Sequence, residues 1–437
     1  MEIMQTLKPF ESIWNFVLLL LVSYPILGAF AWFIGVLCYQ LIYRHRHKDD
    51  IEFQPLTPGE QPFITIMIPA HNEEVMIEHT INYLMNNLNY EKYEVLVTDD
   101  GSTDETPAIL ERLQSVYDNL RVVTIKKNQG KAHAFNVGVG FALGEFILSN
   151  DADSIPEPDA LWKYMSYFMG EEHANTAAVT ANMDVQNRST IIAKSQTVEF
   201  SSIVGVIKRS QVSALGNMYA YSGANTMYRR DALIDVGLFR QDRATEDISI
   251  AWDHQLNGWT TVFSPDILFY MNVPENLDAL YHQRKRWAKG GTEVLLTNFK
   301  RVASHPGKYL KQWAFITDQT LSIIWSLFFF VSTLIFLISL VTFFFTGNYE
   351  RVYHMFCMAF IFVTFEMFAG VLQLLSALIV DDRGRKFKYL IFMPLYMLIY
   401  WQVNALALVT TLIPAVKTIL GYGSGTWVSP VRKHHTE

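Results

Sequence analysis

Cysteine is nearly absent: 437 residues contain two, Cys38 and Cys357. They lie far apart inside apolar runs, which argues against a disulfide framework or a cysteine zinc site. Charge is also scarce, at 18% of residues, and acid exceeds base for a formal net charge of -7. That balance provides no basic domain for binding nucleic acid. No internal repeat or low-complexity tract is evident. Around Asn128-Gln129-Gly130-Lys131-Ala132 the Gly-x-x-x-x-Gly-Lys-Ser/Thr spacing is missing, which excludes a Walker-type phosphate loop there.

Apolar sequence, by contrast, is plentiful. Half of the residues are hydrophobic and mean hydropathy is positive. The stretch Ile13 to Tyr43 is almost entirely apolar, interrupted by Ser23-Tyr24-Pro25. It is too long for a signal-peptide core, and it ends in Arg44-His45-Arg46-His47-Lys48 rather than a small-residue cleavage site. It predicts one membrane helix, with Pro25 as a candidate kink and the basic flank in the cytosol. Three further blocks run from about Ile316 to Phe345, Met355 to Val380 and Tyr389 to Leu420. Each reaches the about 20 residues that one crossing needs. Asp381-Asp382-Arg383-Gly384-Arg385-Lys386 joins the second and third, and its basic half suggests the cytosol. The third block holds Pro394 and Pro414, so a single span and a broken or re-entrant element both remain open.

Between about 50 and 300 no long apolar run occurs, and short β-rich runs alternate with helical patterns. That pattern predicts an α/β domain with a largely parallel sheet. Strands are expected at 63–69, 93–98, 121–125 and 145–149, each followed by polar residues. In such sheets the ligand crevice lies at the carboxyl ends of the strands, so these polar clusters should converge. The chain then divides into 1–48, a membrane helix with its basic flank; 49–300, the soluble domain; 301–420, an interfacial segment and membrane helices; and 421–437, a tail.

The clusters carry recognisable chemistry. Ala70-His71-Asn72-Glu73-Glu74 follows the first strand, and its polar side chains can meet a base edge or simply favour a helix start. Asp99-Asp100-Gly101-Ser102 follows the second; a carboxylate there can accept from a nucleobase, though the same residues make an ordinary β–α turn. Lys131 precedes a helix and can meet a phosphate, or be a solvated loop lysine. Asp151-Ala152-Asp153 ends the fourth strand; two such carboxylates can hold Mg²⁺ or Mn²⁺ against a diphosphate. Thr245-Glu246-Asp247 offers a carboxylate base, Asp247, or an acidic helix start. Gln283-Arg284-Lys285-Arg286-Trp287 offers forked cations for a diphosphate and an indole for a sugar ring, or an interfacial helix with basic and aromatic anchors.

In this order and between membrane blocks, the motifs resemble glycosyltransferase family 2, specifically its processive membrane synthases. The resemblance spans nearly the whole chain. It implies a cytosolic GT-A nucleotide-diphosphate-sugar transferase domain inserted between transmembrane α-helices. It also implies an inverting, UDP-sugar-dependent hexosyltransferase that extends a polysaccharide acceptor across the bilayer of a bacterial plasma membrane. Within the family, Val198-Glu199-Phe200-Ser201-Ser202, Ile207-Lys208-Arg209-Ser210-Gln211, Trp287-Ala288-Lys289-Gly290-Gly291 and Trp427-Val428-Ser429-Pro430 are similar to the synthases of poly-β-1,6-N-acetylglucosamine in biofilm matrix. Asn182-Met183-Asp184 and Ser222-Gly223-Ala224-Asn225 depart from that branch and are expected near the acceptor.

Carried over by resemblance, Glu73 and Asp100 contact uridine, Lys131 and Asp151 support the nucleotide, and Asp153 binds the metal. Asp247, beside Glu246, is the base. Gln283, Arg284, Arg286 and Trp287 hold diphosphate and acceptor. The donor expected is UDP-N-acetylglucosamine, and with about four spans a small helper subunit is expected to complete the channel. Rival readings are a synthase of hyaluronan or a chitin-like chain, a non-processive transferase acting on a lipid carrier, and an export scaffold with a degenerate fold. The last should have lost acidic motif residues, and none is missing.

Overall fold

A computed structural model describes residues 2–46, 53, 56–381 and 385–422. The expected features at His47-Lys48, Asp382-Arg383-Gly384 and the 423–437 tail with Trp427-Val428-Ser429-Pro430 lie outside the described residues.

The soluble domain is built on one eight-stranded sheet. Its strands are β1 (Ile64–Ala70), β2 (Tyr93–Asp100), β3 (Leu120–Ile125), β4 (Phe146–Ser149), β5 (Ile155–Pro156), β6 (Thr176–Val185), β7 (Thr226–Arg229) and β8 (Thr260–Met271). The order is β3-β2-β1-β4-β7-β6-β8-β5. The first four run parallel, as the sequence predicts; β7 is antiparallel to both β4 and β6. Both faces are covered. On β1, Ile64, Ile66 and Ile68 enter one core while Met67 enters the other, and Val95, Val97 and Leu96 divide likewise on β2. Strand alternation thus explains why these runs are apolar throughout rather than every second residue.

Helices α1 (Glu2–Cys38), α2 (Ile77–Asn87), α3 (Thr106–Gln114) and α4 (Lys131–Phe141) come first in the chain. In α2, Ile77, Thr80, Ile81 and Leu84 are buried at i, i+3, i+4 and i+7, the stripe of a helix lying on a sheet. A long rod follows β6: α5 (Ile191–Phe200), a π-helical turn Ser201–Val206, and α6 (Ile207–Leu215). After it come α7 (Glu246–Leu256), α8 (Leu277–Ser304), α9 (Leu310–Phe345), α10 (Tyr349–Asp381) and α11 (Trp401–Ile419).

Among the described residues four stretches are long and apolar enough to cross a membrane: Asn15–Arg46, Leu310–Phe345, Tyr349–Asp381 and Arg385–Ile419. Their outer faces carry large exposed side chains such as Phe345, Phe360 and Ile391, which is the pattern of lipid contact. Helix α1 runs through Pro25 without a break, and its irregularity comes instead at the π-helical turn Tyr39–Tyr43. The last stretch is broken at its start: 3₁₀ turns Arg385–Phe392, a helical turn Met393–Leu395 and a π turn Tyr396–Tyr400 precede α11.

The α5–α6 rod joins these spans to the sheet domain. A Cβ on Gly35 of α1 would lie 2.5 Å from the Ser210 Cβ on α6, so α1 can come this close only with glycine there. Ser210 Oγ donates to the Trp32 carbonyl at 3.0 Å and Ser213 Oγ to the Gly35 carbonyl at 3.2 Å. At the end of α10, Asp381 is wholly buried. It pairs with Arg209 at 3.2 Å and Lys386 at 2.7 Å and accepts from Asn182 Nδ2 at 2.6 Å and Ser201 Oγ at 3.0 Å. Lys386 also reaches Asp184 at 3.2 Å. Asp381 and Lys386 therefore seat against the sheet domain, and Asn182 and Asp184 serve that seat.

Candidate active site

The loops after β1 and β2 are tied to each other by side-chain caps. Asn72 sits at φ 56° and its Oδ1 accepts from the Thr103 amide at 2.8 Å, while its own amide donates to Ser102 Oγ at 2.9 Å. The Glu73 amide donates to Thr106 Oγ1 at 2.9 Å and the Glu105 amide to Glu74 Oε2 at 2.9 Å. Glu73 is buried beneath this pair of loops. Gly101 has φ 70°, and a Cβ there would lie 2.9 Å from the Asn128 amide nitrogen; only glycine fits both demands.

Asp100 ends β2 with both oxygens turned to the start of α4. They accept from the Gln129 amide at 3.1 Å and the Gly130 amide at 2.8 Å. A carboxylate offers about four lone-pair directions, so this leaves capacity for a ligand donor. Just beyond, Lys131 is buried between two acids, 2.7 Å from Asp151 Oδ1 and 3.1 Å from Glu246 Oε1. Burial pushes its ammonium pKa down, but Asp151 and Glu246 outweigh this and the net shift is upward. Lys131 is thus a buried link between the fourth strand's turn and α7, and not a solvated loop residue.

Glu246 and Asp247 open α7 and both are inward. Asp247 Oδ2 accepts from the Gly223 amide at 3.1 Å and Oδ1 from the Ile248 amide at 2.9 Å. Burial raises the Asp247 carboxyl pKa and the neighbouring Glu246 raises it further, against the pull of Lys131 and Arg286. Gly223 is the hub: a Cβ on it would stand 3.2 Å from Glu246 Oε1, 3.3 Å from Lys131 Nζ and 3.4 Å from Asp247 Oδ2. Its carbonyl accepts from Ser149 Oγ. The Ser222–Asn225 turn therefore comes to the acidic cluster, whereas Asn182 and Asp184 are taken up by Asp381 and Lys386.

The basic and aromatic cluster lies on α8. Arg286 comes close enough to act on both Lys131 and Asp247. Trp287 packs edge-on to Phe200. Arg284 departs from the expectation that it grips a ligand. It is buried, pairs with the equally buried Glu199 at 2.5 Å, donates to Gln283 Oε1 at 3.1 Å and lies 4.2 Å over the Trp287 ring. On a helix it points about 100° from Gln283, while Arg286, three residues on, shares the Gln283 face. Its chemistry is that of a support under Trp287. Helix α8 is itself fixed against the acidic motif: a Cβ on Gly290 would lie 2.0 Å from Thr245 Oγ1, and Glu293 Oε2 accepts from the Ala244 amide at 2.8 Å.

Among the described residues no group of three or more His, Cys, Asp or Glu side chains could by itself cage a metal ion. What is present, Asp151 and Asp153 in the turn after β4, suits an ion that takes one or two carboxylates and keeps water and substrate phosphates as its other ligands. Asp151 keeps 27% of its side chain exposed, so it can serve such an ion.

Glycosyl transferase family 2 matches residues 65–237. The chain is 32% identical over 426 residues to a poly-β-1,6-N-acetyl-D-glucosamine synthase of Staphylococcus epidermidis, covering 96% of this chain and 98% of that one. It is 33% identical over 418 residues to the synthase of the same name from Staphylococcus aureus strain COL, covering 94% and 97%. A mannosyltransferase from Pyrobaculum calidifontis, solved with GDP-Man and Mn²⁺, shares the fold at TM-score 0.53 and 19% identity, over 92% of this chain and 99% of that one. A GT-A-like sheet, acidic motifs gathered at its strand ends and full-length similarity to relatives above 30% identity agree: this membrane-associated chain belongs to glycosyltransferase family 2.

Proposed function

We propose that the protein polymerises N-acetylglucosamine from UDP-N-acetylglucosamine into a β-1,6-linked polysaccharide, processively, and passes it through its own membrane helices. The observation that carries the reaction type is Asp247: a half-buried carboxylate with a raised pKa, held by the Gly223 amide beside the Lys131–Asp151–Glu246 cluster. A general base needs its pKa moved toward working pH, and burial beside Glu246 moves it that way. The named function of the full-length relatives supplies the sugar and the linkage.

In the transfer step an acceptor hydroxyl oxygen attacks the anomeric carbon of the donor. The bond from that carbon to the diphosphate oxygen breaks, and UDP leaves with its electron pair. The hydroxyl proton passes to Asp247, and attack from the face opposite the leaving group inverts the anomeric centre. Glu73 and Asp100 hold the nucleoside, Lys131 keeps Asp151 and Glu246 in register, Gln283 and Arg286 meet the diphosphate, and Trp287 stacks on the acceptor sugar. Asp151 supports the nucleotide, and Asp153 would hold Mg²⁺ or Mn²⁺, which when bound offsets charge on the diphosphate. The domain at residues 49–300 faces the cytosol of a bacterial plasma membrane, the spans in 1–48 and 301–420 line the exit, and a small membrane subunit completes the channel.

The test uses protein purified in nanodiscs, incubated with UDP-N-acetylglucosamine and Mg²⁺ or Mn²⁺, with UDP release followed and the product digested by a β-1,6-specific glucosaminidase. Digestible polymer, absent with chelator or in Asp247→Asn, supports the reading. Resistant polymer moves the protein to another β-linked product. Near-wild-type turnover in Asp247→Asn removes the base assignment, and single-sugar products remove processivity.

A further inference from the structure

Lys208 is a buried ammonium that the mechanism above does not use. It lies on α6, is 7% exposed, and donates to Ser222 Oγ at 2.5 Å. Among the described residues no carboxylate lies within ion-pair distance of it, although Arg209 beside it is paired with Asp381. Its other neighbour is the Phe263 ring, 5.8 Å from the ammonium. Burying an amine without a counter-ion is costly, and the deprotonated form is favoured unless something nearby needs the charge. The charge that favours its protonated form is that of Asp247.

The route between them is short. Ser222 holds Lys208 through its hydroxyl, and the next residue, Gly223, holds Asp247 through its amide. The turn is fixed elsewhere by the Ser222 amide donating to Thr180 Oγ1 at 3.1 Å and by Thr226 Oγ1 donating to the Ser222 carbonyl at 2.8 Å. A turn pinned this firmly carries a push on its side chain to its neighbouring amide instead of absorbing it.

We infer that Lys208 is a positioning residue for Asp247, acting through the Ser222-Gly223 turn, and that this link governs how readily Asp247 accepts the acceptor proton. The inference rests on Asp247 being the base. Burial pushes the Lys208 pKa down to about 7, with Asp247 pulling it back up. Below that value Lys208 is charged, which is the range in which a carboxylate base loses its activity. The other groups facing Asp247 are Glu246 on its own helix, Lys131 from α4, Arg286 from α8 and Tyr228 from β7. Lys131 also touches the turn, at the Gly223 carbonyl 3.5 Å away, whereas Lys208 holds it through the Ser222 side chain.

The experiment compares kcat as a function of pH, the KM for UDP-N-acetylglucosamine and the affinity for UDP in Lys208→Met, Lys208→Arg and Ser222→Ala, with Asp247→Asn as control. In Lys208→Met, kcat at pH 7 falls about tenfold. Its acid limb moves up by roughly one pH unit, because the nearby positive charge that favours the carboxylate is gone. KM and UDP affinity stay within about twofold, since the donor is held elsewhere. Lys208→Arg restores most of kcat and the limb. Ser222→Ala moves the limb in the same direction, and if Lys208→Met does not fold this variant decides alone. An acid limb that stays put in the folded variants overturns the inference, as does a parallel loss of kcat and UDP affinity. Turnover surviving in Asp247→Asn overturns the base reading itself, whereas an inactive Asp247→Asn with an unmoved limb in Lys208→Met overturns only the role of Lys208.

Discussion

A carboxylate partly withdrawn from water is unfavourable unless neighbours stabilise its charge, and at half-buried Asp247 they do so only in part. Two backbone amides accompany it, yet burial and Glu246 still leave its pKa above the ordinary value. The sign follows. In the proposed role of base Asp247 acts deprotonated, so kcat falls as pH drops through this raised pKa, and the acid limb of kcat against pH lies above the usual carboxylate value of 3.8. An acid limb at or below that value would show that another group limits the rate. Gly223 gives a second residue-level prediction. A methyl there meets only side-chain ends, those of Glu246, Lys131 and Asp247, so the fold tolerates Gly223→Ala. The methyl still displaces the reacting carboxylate, and kcat falls about 10²-fold with the melting temperature nearly unchanged. Loss of folding in that variant would mean the cluster is structural first. The acidic motifs were legible in the sequence because carboxylates after strands have few bland uses in combination. Arg284 was not, since a linear motif does not show which of two arginines on one helix faces the core.

At the scale of elements, α8 decides where the site's cationic edge stands. Its contact with Thr245 depends on the missing side chain of Gly290, where a Cβ would stand 2.0 Å from Thr245 Oγ1. Gly290→Ala pushes α8 from the start of α7, costing about 1–3 kcal/mol as an overpacked contact. Thermal denaturation in detergent would show it, and turnover should fall with it. The nearest atoms all belong to the Thr245 side chain, so Thr245→Gly in the same chain restores stability. Failure of that rescue would place the strain elsewhere. The four leading strands and their loops were legible from β-branched runs and turn residues. The second half of the sheet was not: β7 spans only Thr226–Arg229 and pairs antiparallel with strands distant in sequence. No local pattern announces such a pairing, because its stabilising contacts are non-local.

At the scale of the whole molecule, one buried carboxylate ties the membrane spans to the sheet. Asp381 at the end of α10 neutralises Arg209 and Lys386 and takes hydrogen bonds from Asn182 and Ser201. Asp381→Asn leaves two buried cations without that partner, and breaking a buried pair costs about 3–5 kcal/mol. The melting temperature in detergent falls accordingly, while UDP affinity, proposed above to rest on Glu73 and Asp100, holds. An unchanged melting temperature would show the seat to be dispensable. Sequence by itself determined the apolar blocks, their basic flanks and the acid and aromatic motifs in order, because membrane thickness and strand–turn chemistry act over a few to about 20 residues. Only the tertiary structure decided that Arg284 supports Trp287 through Glu199, that Lys131 bridges Asp151 and Glu246, and that Lys208 reaches Asp247 through Ser222-Gly223. Each of these pairs residues far apart in the chain. Their partners are selected by which side chains folding buries together, and burial makes a polar group without a hydrogen-bond partner costly.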